Sequence, residues 1–414
     1  MSAMQDLARR AKAASAALRT AKPMQKSSAL RAMAMRIRER RADILAANRE
    51  DLEAAKKAGL SEAKLDRLKL DEKRLEEVAA GLDAVAMLPD PVGKVVDERK
   101  GPSGIRCRRV RVPIGVILMI FESRPNVTAE AAALCLKASN AVLLRGGSEA
   151  QRSNRLIGAC LQGGLAQEKL PADAVQVVES THEQVDELLG LSAFIDLVIP
   201  RGGEGLIRSV AEKSKIPVIK HYKGNCHVYV DRDADPALAS AIVLNAKTQR
   251  PATCNAAEKL LVHQGIAAGF LPGMADRLSK AGVKLRGDDA AHKLVPSIQP
   301  ASDKDWGEEY LDLVMAVKVV ADLDEAIRHV NAHGSGHTDA IVTRNEPTAQ
   351  RFLNEVDSAS VMWNCSTRLA DGGQYGLGAE IGISTERIHA RGPMGIEELT
   401  CLKWVVLGDG QLRT

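Results

Sequence analysis

Between residues 114 and 230 the chain keeps returning to one pattern, a short apolar run rich in β-branched residues. The runs are IGVILMI (114–120), AVLL (141–144), AVQVV (174–178), IDLVI (195–199), PVI (217–219) and CHVYV (226–230). Helix-like stretches at 128–138, 149–162, 181–190 and 204–213 separate several of them. Runs that are apolar at nearly every position, rather than at every second one, suit strands buried on both faces. Alternating with helices, they predict an α/β fold, a mostly parallel sheet covered on both sides and joined by right-handed crossovers.

The flanking sequence differs. Residues 5–95 are rich in Ala, Leu, Arg, Lys and Glu and read as successive amphipathic helices, with Ser61 a candidate N-cap for one running through SEAKLDRLKLDEKRLEEVAAGLDAVAML. PDPVGKV then stops helix formation. After 235 a second α/β stretch follows, with helix-like segments at 235–247 and 323–331 and a strand-like run at 339–342. GIRCRRVRV (104–112) and CLKWVVLG (401–408) alternate charged and apolar residues as strands with one exposed face do. At 414 residues the chain is long enough for two or three domains.

Charge and composition exclude several function classes. Fifty-seven basic residues balance 53 acidic ones, and only three Trp, four Tyr and four Phe could stack on bases, so no nucleic-acid partner is expected. No apolar run reaches 18 residues, so no membrane span is expected. The opening MSAMQDLARRAKAASAALRT lacks the compact apolar stretch of a secretory signal. It reads as a first helix, and a cytoplasmic location is expected. Seven cysteines form no CxxC pair, so neither a structural metal site nor a disulfide framework is expected.

Candidate chemistry lies at strand ends and turns. AVLLRGG places Arg145, Gly146 and Gly147 after one strand; IDLVIPRGGEG places Arg201, Gly202, Gly203 and Gly205 after another, just before a helix. Open parallel sheets bind ligands beyond the carboxyl ends of their strands, and a Gly-rich turn opening a helix offers N–H groups to anions. Neither segment is the GxGxxG fingerprint, and tight turns would equally require glycine. Cys254, in QRPATCNA, sits in a polar turn with Lys247 and Arg250 close in sequence, a setting that favours a thiolate. Asn126, in FESRPNVTAE after the first central strand, could stabilise an oxyanion. Local sequence leaves Cys254 open between reactive thiol and ordinary packing residue.

Longer motifs carry more. IFESRPNVTAEAAALCLKASNAVLLRGG, DLVIPRGGEGL, CHVYVD, NAKTQRPATCNAAEKLLV, EEYLDLVMAVKVV, DGGQYGLGAEIGIST and HARGPMGIEELTCLKW occur in this order over nearly the whole chain. In them the chain resembles the gamma-glutamyl phosphate reductases, or glutamate-5-semialdehyde dehydrogenases, of the aldehyde dehydrogenase superfamily. The resemblance implies an aldehyde dehydrogenase-like fold: a Rossmann-like cofactor domain (1–103 and 113–234), an α/β catalytic domain (235–362) and a small β element for oligomerisation (104–112 and 363–414).

It also implies NADPH-dependent reduction of L-glutamate 5-phosphate to L-glutamate 5-semialdehyde in proline biosynthesis, through a thioester on Cys254. Asn126 matches the oxyanion donor. Arg145, with Gly146, and Glu309 match residues that contact the cofactor, and the turn Arg201–Gly203 falls where a helix N-terminus approaches its diphosphate. Lys247, Arg250 and Arg124, with the loops near 364–378, are candidates for the anionic substrate. A homo-oligomer is expected, and direct transfer of the labile substrate from glutamate 5-kinase stays open. Hydrolytic relatives carry a glutamate that activates water; the comparable stretch here, VIKHYKGNCHVYVD, has His221 and Lys223 instead. That departure disfavours the hydrolytic form, leaving another acylating dehydrogenase or an inactive homologue as the alternatives.

Overall fold

The structure, a computed structural model, describes residues 1–413. The chain forms two compact units, one of residues 1–220, 376–382 and 394–413, the other of residues 221–375 and 383–393.

The first unit begins with the helices α1 (Ala3–Leu18), α2 (Pro23–Glu39), α3 (Arg41–Lys57), α4 (Glu62–Leu68) and α5 (Glu72–Met87). The helix anticipated from Ser61 onward is broken between α4 and α5. Asp71 competes as an N-cap there, its carboxylate accepting the Arg74 N–H at 2.9 Å. The strands β1 (Val95–Lys100), β2 (Arg106–Pro113) and β3 (Val116–Phe121) follow, then α6 (Pro125–Lys137), β4 (Ala141–Arg145), α7 (Gln151–Gln167), β5 (Val175–Val177), α8 (His182–Leu189), β6 (Leu197–Arg201) and α9 (Glu204–Lys213).

Four of these strands form a parallel sheet in the order β5-β4-β3-β6. Every residue of β3 is buried. Val116, Leu118 and Ile120 pack with Leu143, Val198 and the Leu188 and Leu189 of α8, as a strand covered on both faces requires. The 217–219 run contributes only one parallel bridge, Val218 to Val198. β1, β2 and the closing strand Thr400–Leu407 make a separate antiparallel sheet with β2 in the middle.

The second unit holds β7 (Cys226–Val230), α10 (Pro236–Thr248), β8 (Ala257–His263), α11 (Gln264–Lys280), β9 (Lys284–Gly287), β10 (Gln299–Pro300), β11 (Val314–Val320), β12 (Thr338–Val342) and β13 (Ser360–Trp363). Its strands pair in parallel in the order β10-β9-β11-β8-β7-β12-β13. The division differs from the expected one. The run 226–230, expected to end the cofactor domain, is the strand between β8 and β12, which moves the boundary from 234 to 220. Of the expected β element, residues 363–375 and 383–393 belong to this unit, and 104–112, 376–382 and 394–413 to the first. Partners far along the chain, not local composition, decide which sheet a run joins.

Among the described residues no helix is long and apolar enough to cross a membrane.

Candidate active site

Cys254 lies in the turn between α10 and β8, half-buried and three residues before the strand begins. Parallel neighbours bring other pre-strand segments beside it: residues 221–225 lead into β7, and His337 immediately precedes β12. One ligand-capable atom from each of His221, Cys254 and His337 lies within 4.8 Å of the other two. The two imidazoles meet edge to face with centroids 5.5 Å apart. His221 Nδ1 lies 3.0 Å from the Ile383 carbonyl, and His337 Nδ1 lies 2.9 Å from Thr338 Oγ1.

The backbone of the turn is held closely. A Cβ on Gly224 would land 1.8 Å from the Cys254 carbonyl oxygen and 2.4 Å from its Cα, so only glycine permits this approach. The Gly224 N–H donates to Glu309 Oε1 at 2.8 Å, and the Cys226 thiol donates to the Cys254 carbonyl at 3.2 Å. Thr253 Oγ1 donates to the Arg250 carbonyl at 2.8 Å. Burial pushes the thiols of Cys135, Cys160, Cys226, Cys365 and Cys401 upward, which makes each a poorer thiolate.

The basic residues expected at the substrate divide sharply. Arg250 is exposed at the turn. Lys247 is a correction: its side chain is fully buried on α10 and paired at 3.1 Å with Glu258, itself fully buried, so its charge is committed inside the unit rather than presented to a substrate. Burial holds the Lys247 ammonium below its ordinary range and pushes the Glu258 carboxyl above its own. Arg368 is a cation that does reach the turn. Its guanidinium donates to Asn255 Oδ1 and, at 2.8 Å, to Gln249 Oε1, and it lies within electrostatic reach of both Cys254 and Arg250. The loop near 364–378 is legible as a candidate from sequence, but Arg368 itself, Gly224, Cys226 as a support and His337 are not. Only a glycine ahead of CHVYV and a histidine ahead of the 339–342 run could have pointed there.

The remaining candidates lie in the first unit. Asn126 is the second residue of α6, half-buried, with Nδ2 donating to Glu130 Oε1 at 2.9 Å. An amide carries two N–H groups, so this bond leaves donor capacity. Arg124 holds the N-cap position of the same helix, with no capping bond from its side chain. Arg145, Gly146 and Gly147 line a cleft with Ser148, Gln151, Asn154, Val177, Val178, Glu179 and Ser180, at the carboxyl ends of β4 and β5. Glycine is required at 146, since a Cβ there would meet Asn154 Nδ2 at 2.2 Å.

Two buried polar atoms in this lining, Arg145 Nε and Ser180 Oγ, have no hydrogen-bond partner. A cationic donor and a hydroxyl left unsatisfied beside glycine backbone fit the phosphates and ribose of a dinucleotide. The 201–203 turn lies apart, at the end of β6 and two strands away from β4. Its expected role is corrected in one respect: the Gly203 N–H at the start of α9 donates to Glu122 Oε2 at 3.1 Å, so a carboxylate of the chain already meets that helix end. Arg201 packs against Gly382. Glu309 lies in the second unit against Gly224.

The aldehyde dehydrogenase family model matches residues 2–312 and 299–405. The chain belongs to the aldehyde dehydrogenase family. Similarity over nearly the full length places it beside particular members. It is 53% identical to the gamma-glutamyl phosphate reductase of Meiothermus ruber over 98% of this chain and 97% of that one. It is 50% identical to the enzyme of the same name from Clostridium botulinum, over 98% of both. Among solved structures, the gamma-glutamyl phosphate reductase of Thermotoga maritima superimposes with a TM-score of 0.98 at 46% identity, covering 100% of both chains. The aldehyde dehydrogenase fold expected from the motifs is the one observed.

Proposed function

We propose that this chain reduces L-glutamate 5-phosphate to L-glutamate 5-semialdehyde with release of phosphate, using NADPH, as the names of its full-length relatives indicate. The observation that carries the reading is the Cys254 turn, a half-buried thiol whose backbone is clamped between Gly224 and Cys226 with two cationic side chains around it. The Cys254 thiolate attacks the acyl carbon and expels phosphate, leaving a thioester. The Cys254 backbone N–H and the Asn126 amide are the proposed donors to the oxyanion that forms in this attack. Arg250, Arg368 and Arg124 supply positive charge for the carboxylate and phosphate of the substrate. A nicotinamide cofactor, when bound, would supply hydride for the acyl carbon. Cys254 then departs as thiolate while the aldehyde carbonyl re-forms.

The first unit is proposed to hold the dinucleotide, in the cleft lined by Arg145, Gly146 and Ser180, and the second to carry the nucleophile. The sheet β1-β2 with Thr400–Leu407 is proposed to join copies of the chain. Among the described residues the closing strand has only β2 beside it, and it exposes Leu402, Trp404 and Val406, alternate residues on one face.

The deciding assay follows NADP⁺ reduction with glutamate 5-semialdehyde, run with and without phosphate. Strict dependence on phosphate is expected; equal rates in its absence would mean that water cleaves the thioester and would overturn the reading. Cys254→Ser is expected to abolish turnover while leaving NADPH binding, followed by fluorescence titration, within about twofold, because the proposed cofactor cleft belongs to the other unit.

A further inference from the structure

Thiolate and imidazole are ligands that divalent zinc prefers, and three of them converge at the amino ends of β7, β8 and β12. We propose that His221, Cys254 and His337 form a site for Zn²⁺ or a similar borderline-soft cation, and that the bound cation masks the nucleophile.

Three protein ligands with an open fourth position are the donor count of catalytic zinc centres, and an N₂S set with no carboxylate disfavours Mg²⁺ and Ca²⁺. Tetrahedral zinc, with bonds of about 2.0–2.3 Å, places its ligand atoms roughly 3.5 Å apart. The atoms here lie within 4.8 Å of one another, so closure needs a contraction of roughly 1 Å. Side-chain rotation at His221 and Cys254, both half-buried, can supply that movement while the clamped backbone of the Cys254 turn stays in place. A second shell is already present. Donation from His221 Nδ1 to the Ile383 carbonyl leaves the lone pair on Nε2, and His337 Nδ1 is held against Thr338 Oγ1. This is how ligating imidazoles are usually oriented. Binding replaces the Cys254 thiol proton with the metal and releases that proton to solvent; no oxidation is involved.

The site is tested on the full chain without turnover, so its outcome is separate from that of the proposed reaction. Zn²⁺ is titrated against a chromophoric chelator, and iodoacetamide alkylation of Cys254 is followed by peptide mass mapping, since six other thiols are present. One equivalent per chain is expected, with Cys254 protected from alkylation at saturation and the protection reversed by excess chelator. Co²⁺ in place of Zn²⁺ is expected to give a thiolate charge-transfer band that disappears in Cys254→Ser. His221→Ala, at a half-buried position, is expected to weaken zinc binding by more than about 10-fold, with its circular dichroism unchanged. His337→Ala should do the same but removes a buried ring. Wild-type zinc affinity in Cys254→Ser and His221→Ala, or alkylation of Cys254 at an undiminished rate in saturating zinc, would mean adventitious binding at surface histidines and would overturn the proposal.

Discussion

Cys254 is set apart from the other cysteines less by its own neighbours in sequence than by what is folded against it. Lys247, close in sequence, turns inward to Glu258, whereas Arg368, more than a hundred residues away, reaches the turn. Gly224 is the most exacting of the supports. Gly224→Ala would push a methyl group into the Cys254 backbone, and overpacking of this kind costs about 1–3 kcal/mol. The expected result is a fall in kcat of more than about 10²; wild-type kcat would show that the turn yields without displacing the sulfur. Asn126→Ala is expected to lower kcat by about 10²–10³, the usual effect of losing one oxyanion donor. A change confined to cofactor affinity would remove it from that role.

At the scale of elements, the two sheets use opposite ends. In the first unit the candidate cleft lies where β4 and β5 finish, as expected of an open parallel sheet. In the second, Cys254, His221, His337 and Glu309 all precede strands, so the end-of-strand rule that picks out Arg145 could not have found them. The local pattern was nonetheless enough to locate most strands and helices, because the buried runs are short, continuous and bounded by turn residues. Failures occurred where two local signals competed, as at Asp71 against Ser61. The closing strand offers a further test. Trp404 is 52% exposed and Val406 54%, an apolar face on a strand that, among the described residues, has only β2 beside it. Trp404→Glu is expected to shift the sedimentation coefficient toward that of a single chain; an unchanged oligomer would exclude this strand from the interface.

For the protein as a whole, acid sensitivity follows from a buried histidine group. His329 is 7% exposed and packs against the rings of His227, His333 and Trp306. Burial, with the neighbouring His227 and His333, lowers its pKa from 6.5 to about 3. Between those values the unfolded chain binds a proton that the folded one refuses. Stability contributed by keeping His329 neutral is therefore complete above about pH 6.5 and is lost as pH falls toward 3, by about 1.4 kcal/mol per pH unit. Urea unfolding at pH 6, 5 and 4 should show a shallower decline for His329→Asn than for the wild type by about that slope; parallel declines would place the acid-sensitive group elsewhere.

Sequence by itself determined the α/β class, the position of most elements and the family, and it singled out Cys254 as the candidate nucleophile, because these rest on local periodicity and on long ordered motifs. Tertiary structure alone decided which sheet CHVYV joins, that Lys247 is buried while Arg368 is not, and that two histidines lie beside Cys254. The physical reason is that strand order in a parallel sheet is set by pairing between segments far apart in the chain. The order β8-β7-β12 therefore assembles a site from three segments that share no local pattern.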